Sequence, residues 1–243
     1  MTNITGSVGT LPRNSPLVIF DCDGVLVNSE PIANRILARA LAQEGYPCTF
    51  EESVLRFVGR DLASIIDQVE KDLGRTLSDG FCDRLRAKTY AAFRKHLEPV
   101  PGIDGALDQI LFPKCVASSG SPEKILLSLT LTGLCHHFGN ALFSSQQVHR
   151  GKPYPDLFLH AALQFDTRPH TCVVIEDSVP GVTGARAAGM KVFGYAGAEH
   201  AYPGLANSLS QAGAEPFFEM DLLPGLLNNY FRKCYEAVFK NTG

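Results

Sequence analysis

A chain of 243 residues is longer than one typical domain, yet a single α/β core with an insertion would account for its length. Hydrophobic residues make up 45% and charged residues 19%, a composition that argues against a disordered, fibrous or membrane-embedded chain. The formal net charge of −3 provides no basic field for nucleic acid or an anionic membrane surface, so neither is expected as a partner.

The N-terminal segment and the cysteines bear on location. Residues 1–15 are rich in Gly, Ser, Thr, Asn and Pro without periodicity, and are predicted to form a mobile leader. The seven cysteines are irregularly spaced, and no cationic stretch followed by an apolar run marks a signal peptide. We therefore expect reduced thiols and a cytoplasmic protein.

Short apolar runs predict the strands of the core. Residues 17–20 form the first, and similar runs follow at 114–118, 141–144, 171–175 and 191–195, with helical patterns between them. Strands that alternate with helices predict an α/β fold with a doubly wound parallel sheet. We assign residues 16–28 and 97–243 to this core.

The interval 29–96 has a different pattern, with three helix-like stretches and no comparable strand. The first begins near Pro31 and ends before Gly45, the second carries an apolar stripe that stops at Gly74, and the third includes Phe81 and Phe93. The interval is predicted to be a helical domain inserted into the core.

Carboxylates follow two of the predicted strands. Asp21 and Asp23 come directly after the first strand, and Glu176 and Asp177 end the 171–175 strand. Open α/β sheets place their ligands at this edge, and such acids repel one another unless a cation intervenes. Mg²⁺, which prefers oxygen ligands, is the natural partner. Taken singly, each pair could instead belong to a solvated turn or cap a helix.

Two weaker signals lie near the same edge. Ser118 and Ser119, followed by Gly120, end the 114–118 strand just before a helix and offer a site for an anion. Lys152 lies in a loop stiffened by two prolines. Each could also be structural, as a strand-to-helix turn and a solvent-exposed cation respectively.

Together, these segments resemble the four motifs of the haloacid dehalogenase superfamily, in the same order and at the same strand ends. The resemblance covers residues 17–196 and implies a Rossmann-like core, with the helical insertion as its cap domain. The four matching segments are Phe20-Asp-Cys-Asp-Gly-Val-Leu-Val27, Val116-Ala-Ser118, Gly151-Lys-Pro-Tyr-Pro-Asp156 and Val174-Ile-Glu-Asp-Ser178.

The resemblance implies roles for these residues. Asp21 would be the nucleophile that forms an aspartyl-phosphate, and Asp23 the general acid and base. Ser118 and Lys152 would hold the phosphoryl oxygens. Mg²⁺ would be held by Asp21, by the backbone carbonyl of Asp23 and by Asp177, with Glu176 close by; Ser119 and Gly24 would contact the substrate.

Within the superfamily, the chain is most similar to the sugar-phosphatase and β-phosphoglucomutase branch, and to its 6-phosphogluconate-type phosphatases. The substrate would be a small phosphorylated metabolite, and Arg60 is a candidate contact to it. Ala33 stands where the mutases carry a cap histidine, which disfavours a mutase, and Asn28 stands where the branch usually has Asp. A β-phosphoglucomutase-like activity and a non-catalytic phosphate-binding regulator stay open as alternatives, and a monomer is plausible.

Overall fold

A computed structural model describes residues 15–240 of the chain. The predicted leader therefore lies outside the described residues, except for residue 15. No helix in residues 15–240 is both long and apolar enough to cross a membrane. All seven cysteines are free thiols.

The core is a parallel sheet of six strands in the order β3-β2-β1-β4-β5-β6. Its first strand lies at the centre and pairs with β2 on one side and β4 on the other. This arrangement confirms the predicted doubly wound α/β fold. The strands are β1 Leu17–Phe20, β2 Lys114–Ser118, β3 Leu142–Ser144, β4 Cys172–Glu176, β5 Lys191–Tyr195 and β6 Glu215–Phe217.

Helices cover both faces of this sheet. Alternate residues of β1 enter different hydrophobic clusters, Val18 and Phe20 on one face and Leu17 and Ile19 on the other, and all four are fully buried. The α-helices of the core are α5 Ile103–Gln109, α6 Pro122–Leu131, α7 Asp156–Gln164, α8 Val179–Ala187, α9 Leu205–Gln211 and α10 Leu223–Lys240.

Three strand boundaries differ from the sequence prediction, and one strand was not predicted. The third and fourth strands each begin one residue later than predicted, and the fourth also ends one residue later, at Glu176. Thr171 belongs to a 3-10 turn that precedes β4. The last strand, β6, was not predicted, because three residues are too few to show a periodic apolar pattern. β6 lies at the edge of the sheet, where a proline such as Pro216 is tolerated.

Within residues 29–96 the chain forms four helices, where the sequence predicted three. They are α1 Glu30–Gln43, α2 Phe50–Phe57, α3 Leu62–Leu73 and α4 Phe81–His96. The missed helix, α2, has only eight residues, but Thr49 and Glu52 form a reciprocal capping box at its start. That sequence signal could have revealed it. We keep the name cap for residues 29–96.

The cap helices pack around a hydrophobic cluster of their own. Leu41, Phe57, Val69 and Phe81 are buried in it, and no residue of this cluster comes from the sheet. The cap therefore has an internal source of stability, the removal of apolar surface from water.

We expect Leu41→Ala to lower the free energy of unfolding by about 2–5 kcal/mol, because it leaves a cavity at a fully buried position. Leu55→Ala removes the same atoms from a cap position that is 62% exposed, and serves as the control. Urea-induced unfolding measures both. An equal loss in the two variants would contradict the packing described for the cap.

Candidate active site

The sheet brings the predicted site residues to one edge. Phe20 at the end of β1 lies in register with Val116 of β2 and with Ile175 of β4. The residues that follow these positions therefore emerge side by side at the carboxyl ends of three adjacent strands. Asp21, Ser118, Glu176 and Asp177 all lie at this edge, and all are buried.

Lys152 joins two of these carboxylates. Its Nζ atom donates to Oδ1 of Asp21 at 2.6 Å and to Oε1 of Glu176 at 2.5 Å. Burial lowers the pKa of Lys152, but the charges of the two carboxylates outweigh that effect and raise it. The loop that carries Lys152 therefore delivers a fixed positive charge beside Asp21.

Glu176 is fully engaged within the fold. In addition to Lys152, its Oε2 atom accepts hydrogen bonds from the backbone N–H groups of Asp177 and Ser178 and from the Ser178 hydroxyl, each at 2.9 Å. These bonds hold the turn between β4 and α8. Glu176 thus anchors Lys152 and this turn, and leaves Asp21 and Asp177 as the carboxylates better able to take another ligand.

The acidic residues at this edge fit a divalent cation. Carboxylate oxygens of Asp21, Glu176 and Asp177 lie within 4.8 Å of one another. Burial raises the pKa of Asp21 well above its usual range; repulsion from Glu176 and Asp177 adds to this, and Lys152 opposes it. The buried Oδ2 atom of Asp177 makes no regular hydrogen bond among the described residues, and Nε2 of His200 lies 2.9 Å from it. A hard cation would offset the excess negative charge of this carboxylate cluster.

Asp23 is held by residues that the sequence reasoning missed. Its Oδ1 atom lies 2.8 Å from Nζ of Lys124 and accepts the Ser29 hydroxyl at 2.5 Å, while Ser118 Oγ is 3.4 Å from Oδ2. Burial alone would raise the pKa of Asp23, but Lys124 and the hydrogen bond from Ser29 lower it overall. The one available signal for Lys124 was its place in the first turn of α6, directly after Ser118.

An enclosed cavity of about 430 Å³ lies between the cap and this edge of the sheet. Asp21, Asp23 and Lys152 line it from the core, and Arg60 lines it from the cap. Its size is within the range of pockets that bind small molecules.

The cap reaches the core through the connection between α2 and α3. The Ser119 hydroxyl donates to the Gly59 carbonyl at 3.1 Å, and Gly59 has a φ of +81°. A Cβ atom at Gly59 would lie 2.3 Å from Oγ of Ser178, so only glycine fits this contact. Ser119, which was predicted to contact substrate, thus lines the cavity and also holds the cap against the core.

Arg60 and Gly24, the two other predicted substrate contacts, differ in placement. Arg60 lies on the cavity wall and donates to the Ser64 carbonyl at 3.0 Å. Gly24 is absent from the described residues that line the cavity, and its N–H donates to the Val27 carbonyl at 2.9 Å. Its φ of +79° and the closeness of Asp177 leave no room for a side chain at this position, and its contact with substrate stays a prediction.

Glu30, at the start of α1, also lines the cavity. Burial and repulsion from Asp23 raise its pKa from 4.5 to about 7, although Lys124 and His200 oppose the shift. Asn34 donates to its Oε2 atom at 2.6 Å. Because the folded state binds this proton more tightly than the unfolded state does, stability contributed by Glu30 is lost as the pH rises through about 7.

In the absence of divalent cations, we expect the stability of Glu30→Gln relative to the unsubstituted protein to rise between about pH 4.5 and about pH 7, and to level off at higher pH. The glutamine removes a negative charge that the folded state disfavours at high pH. Urea-induced unfolding at several pH values measures the difference. Glu51→Gln, at an exposed position on α2, is the control. The same pH trend in both variants would show that the site does not perturb Glu30.

Comparisons with known proteins agree with this geometry. The family described as haloacid dehalogenase-like hydrolase matches residues 18–195. A 6-phosphogluconate phosphatase of Escherichia coli (strain K12) is 35% identical over 187 residues, which are 76% of this chain and 85% of that protein.

Two solved structures share the fold. A conserved haloacid dehalogenase-like protein of unknown function from Agrobacterium tumefaciens superposes with a TM-score of 0.77 and 39% identity, over 89% of this chain and 99% of its own. A hydrolase of the same family from Deinococcus radiodurans R1, with bound phosphate and sodium, gives a TM-score of 0.66 and 30% identity, over 84% of this chain and 91% of its own. This chain therefore belongs to the haloacid dehalogenase-like hydrolases.

Proposed function

We propose that the chain is a Mg²⁺-dependent phosphatase that hydrolyses a small phosphorylated metabolite, a sugar phosphate or sugar-acid phosphate, through an aspartyl-phosphate on Asp21. The observation that carries this proposal is the placement of Asp21 on the wall of the enclosed cavity, with Lys152 bonded to its Oδ1 atom. A carboxylate in this position can attack a phosphorus atom while the ammonium group attracts the phosphoryl oxygens.

In the first step, an oxygen of Asp21 attacks the phosphorus and the ester P–O bond breaks. Asp23 donates a proton to the departing oxygen. Lys124 and Ser29 hold Asp23 ionised in the described structure. The negative charge of a bound phosphate would oppose that effect and favour the protonated form that the step requires.

In the second step, Asp23 takes a proton from a water molecule, which attacks the phosphorus of the aspartyl-phosphate. The bond between phosphorus and the Asp21 oxygen breaks, so that Asp21 is regenerated and inorganic phosphate leaves. Lys152 and the Ser118 hydroxyl would contact the phosphoryl oxygens in both steps.

Mg²⁺ would be held by Asp21, Asp177 and the backbone carbonyl of Asp23, with Glu176 close by. When bound, the ion supplies positive charge that offsets the charge developing on the phosphoryl group. The buried carboxylates of Asp21, Glu176 and Asp177, whose oxygens lie within 4.8 Å of one another, support this assignment.

The cavity supports a substrate of sugar size. Arg60 on its wall is suited to a carboxylate or to hydroxyl groups at the far end of the substrate. The relative from Escherichia coli is named for a sugar-acid phosphate. Ala33, also on the wall, brings no imidazole, which favours the phosphatase over the mutase. The free cysteines support a cytoplasmic location.

Release of phosphate from 6-phosphogluconate and from a panel of sugar phosphates tests the proposal. We expect Mg²⁺-dependent release, and we expect Asp21→Asn to reduce kcat by about 10⁴-fold or more, because it removes the nucleophile. Asp108→Asn, at an exposed position on α5, provides the control and should retain activity. Full activity in Asp21→Asn would overturn the mechanism.

The same assay decides between the candidate reactions. Conversion of β-glucose 1-phosphate to glucose 6-phosphate faster than phosphate appears would replace the phosphatase with a mutase. Phosphate binding without turnover on any member of the panel would favour the regulator.

A further inference from the structure

A buried histidine lies behind Asp177 and has no part in the steps above. His200 belongs to the loop between β5 and α9, and its side chain is only 2% exposed. Its Nε2 atom lies 2.9 Å from Oδ2 of Asp177. The contact is close but not aligned as a regular hydrogen bond, and neither ring nitrogen has another partner among the described residues. Burying an imidazole without polar partners destabilises the folded state, unless the imidazole interacts with this carboxylate.

The backbone of Gly24 lies against the same pair. A Cβ atom at this position would lie 1.9 Å from Oδ2 of Asp177 and 2.7 Å from Cε1 of His200. The Asp177 carboxylate is thus packed between the loop that follows β1 and the imidazole. These two neighbours therefore limit the rotation of the carboxylate.

The loop that carries His200 is tied to the start of the cap. Asn28 donates from Nδ2 to Oε2 of Glu199 at 2.5 Å. An aspartate at position 28, which is usual in this branch, would place two carboxylates against each other at this contact. The hydrogen bond between Asn28 and Glu199 therefore connects the residue next to His200 with the residue that precedes the cap.

We propose that His200 is a positioning residue for Asp177, which holds Oδ2 of that carboxylate and so orients it to bind a divalent cation. This inference rests on the proposed function, because that function assigns Asp177 to the metal. Groups that orient a metal ligand through hydrogen bonds typically change metal affinity by about 10–100-fold when they are removed. An effect of that size is expected here.

Two substitutions of His200 separate positioning from packing. His200→Phe keeps a ring of similar shape and removes both nitrogens. His200→Gln keeps an N–H donor near the place of Nε2. His170→Gln, at an exposed position before β4, is the matched control. Mn²⁺ serves as the probe ion: electron paramagnetic resonance of free Mn²⁺ gives its dissociation constant, and thermal unfolding in a chelator gives the stability of each metal-free protein.

We expect His200→Phe to raise the dissociation constant for Mn²⁺ by about 10–100-fold, and His200→Gln to restore most of the affinity. Saturating Mg²⁺ should return kcat of the Phe variant to within a few-fold of the unsubstituted protein, because His200 does not contact substrate. Unchanged Mn²⁺ affinity in a folded His200→Phe would overturn the inference, and so would an equal loss in the Phe and Gln variants.

The outcome is distinguishable from failure of the proposed function. If the unsubstituted protein binds Mn²⁺ more tightly than His200→Phe does, yet releases no phosphate from any substrate in the panel, the positioning role stands and the phosphatase assignment falls. If the unsubstituted protein releases phosphate and both proteins bind Mn²⁺ equally, the phosphatase assignment stands and the positioning role falls.

Discussion

The ion pairs that Lys152 makes with Asp21 and Glu176 are the contacts on which the rest of the site depends. Both distances are short, and all three side chains are buried, so the loss of the ammonium group would leave two uncompensated carboxylates inside the protein. Such a loss would destabilise the folded protein and would also remove the positive charge beside Asp21. In the proposed mechanism, this arrangement brings positive charge to Asp21, the carboxylate that approaches a negatively charged phosphoryl group.

The two lysines do not balance the charge at this edge of the sheet. Asp21, Asp23, Glu176 and Asp177 contribute four carboxylates, and Lys152 and Lys124 are the ammonium groups in contact with them among the described residues. The pKa values of Asp21 and Asp177 are both raised, first by burial and in addition by repulsion from the neighbouring carboxylates. A divalent cation and the buried imidazole of His200 are the two groups that would relieve it.

The sequence was sufficient to predict the sheet and the residues at strand ends, because buried parallel strands have continuous apolar runs and their polar residues begin where the runs stop. It could not identify Lys124, Ser29 or His200. Each reaches the site from a helix or loop whose direction is set by tertiary packing, and none lies in a distinctive local pattern.

The most direct test of the central claim is chemical identification of the phosphorylated residue. The protein would be quenched with acid during turnover and treated with borohydride, which reduces an aspartyl-phosphate to homoserine, before digestion and mass spectrometry. The account predicts homoserine at position 21. Phosphate release with aspartate intact at position 21 and a phosphoryl group on another side chain would contradict it.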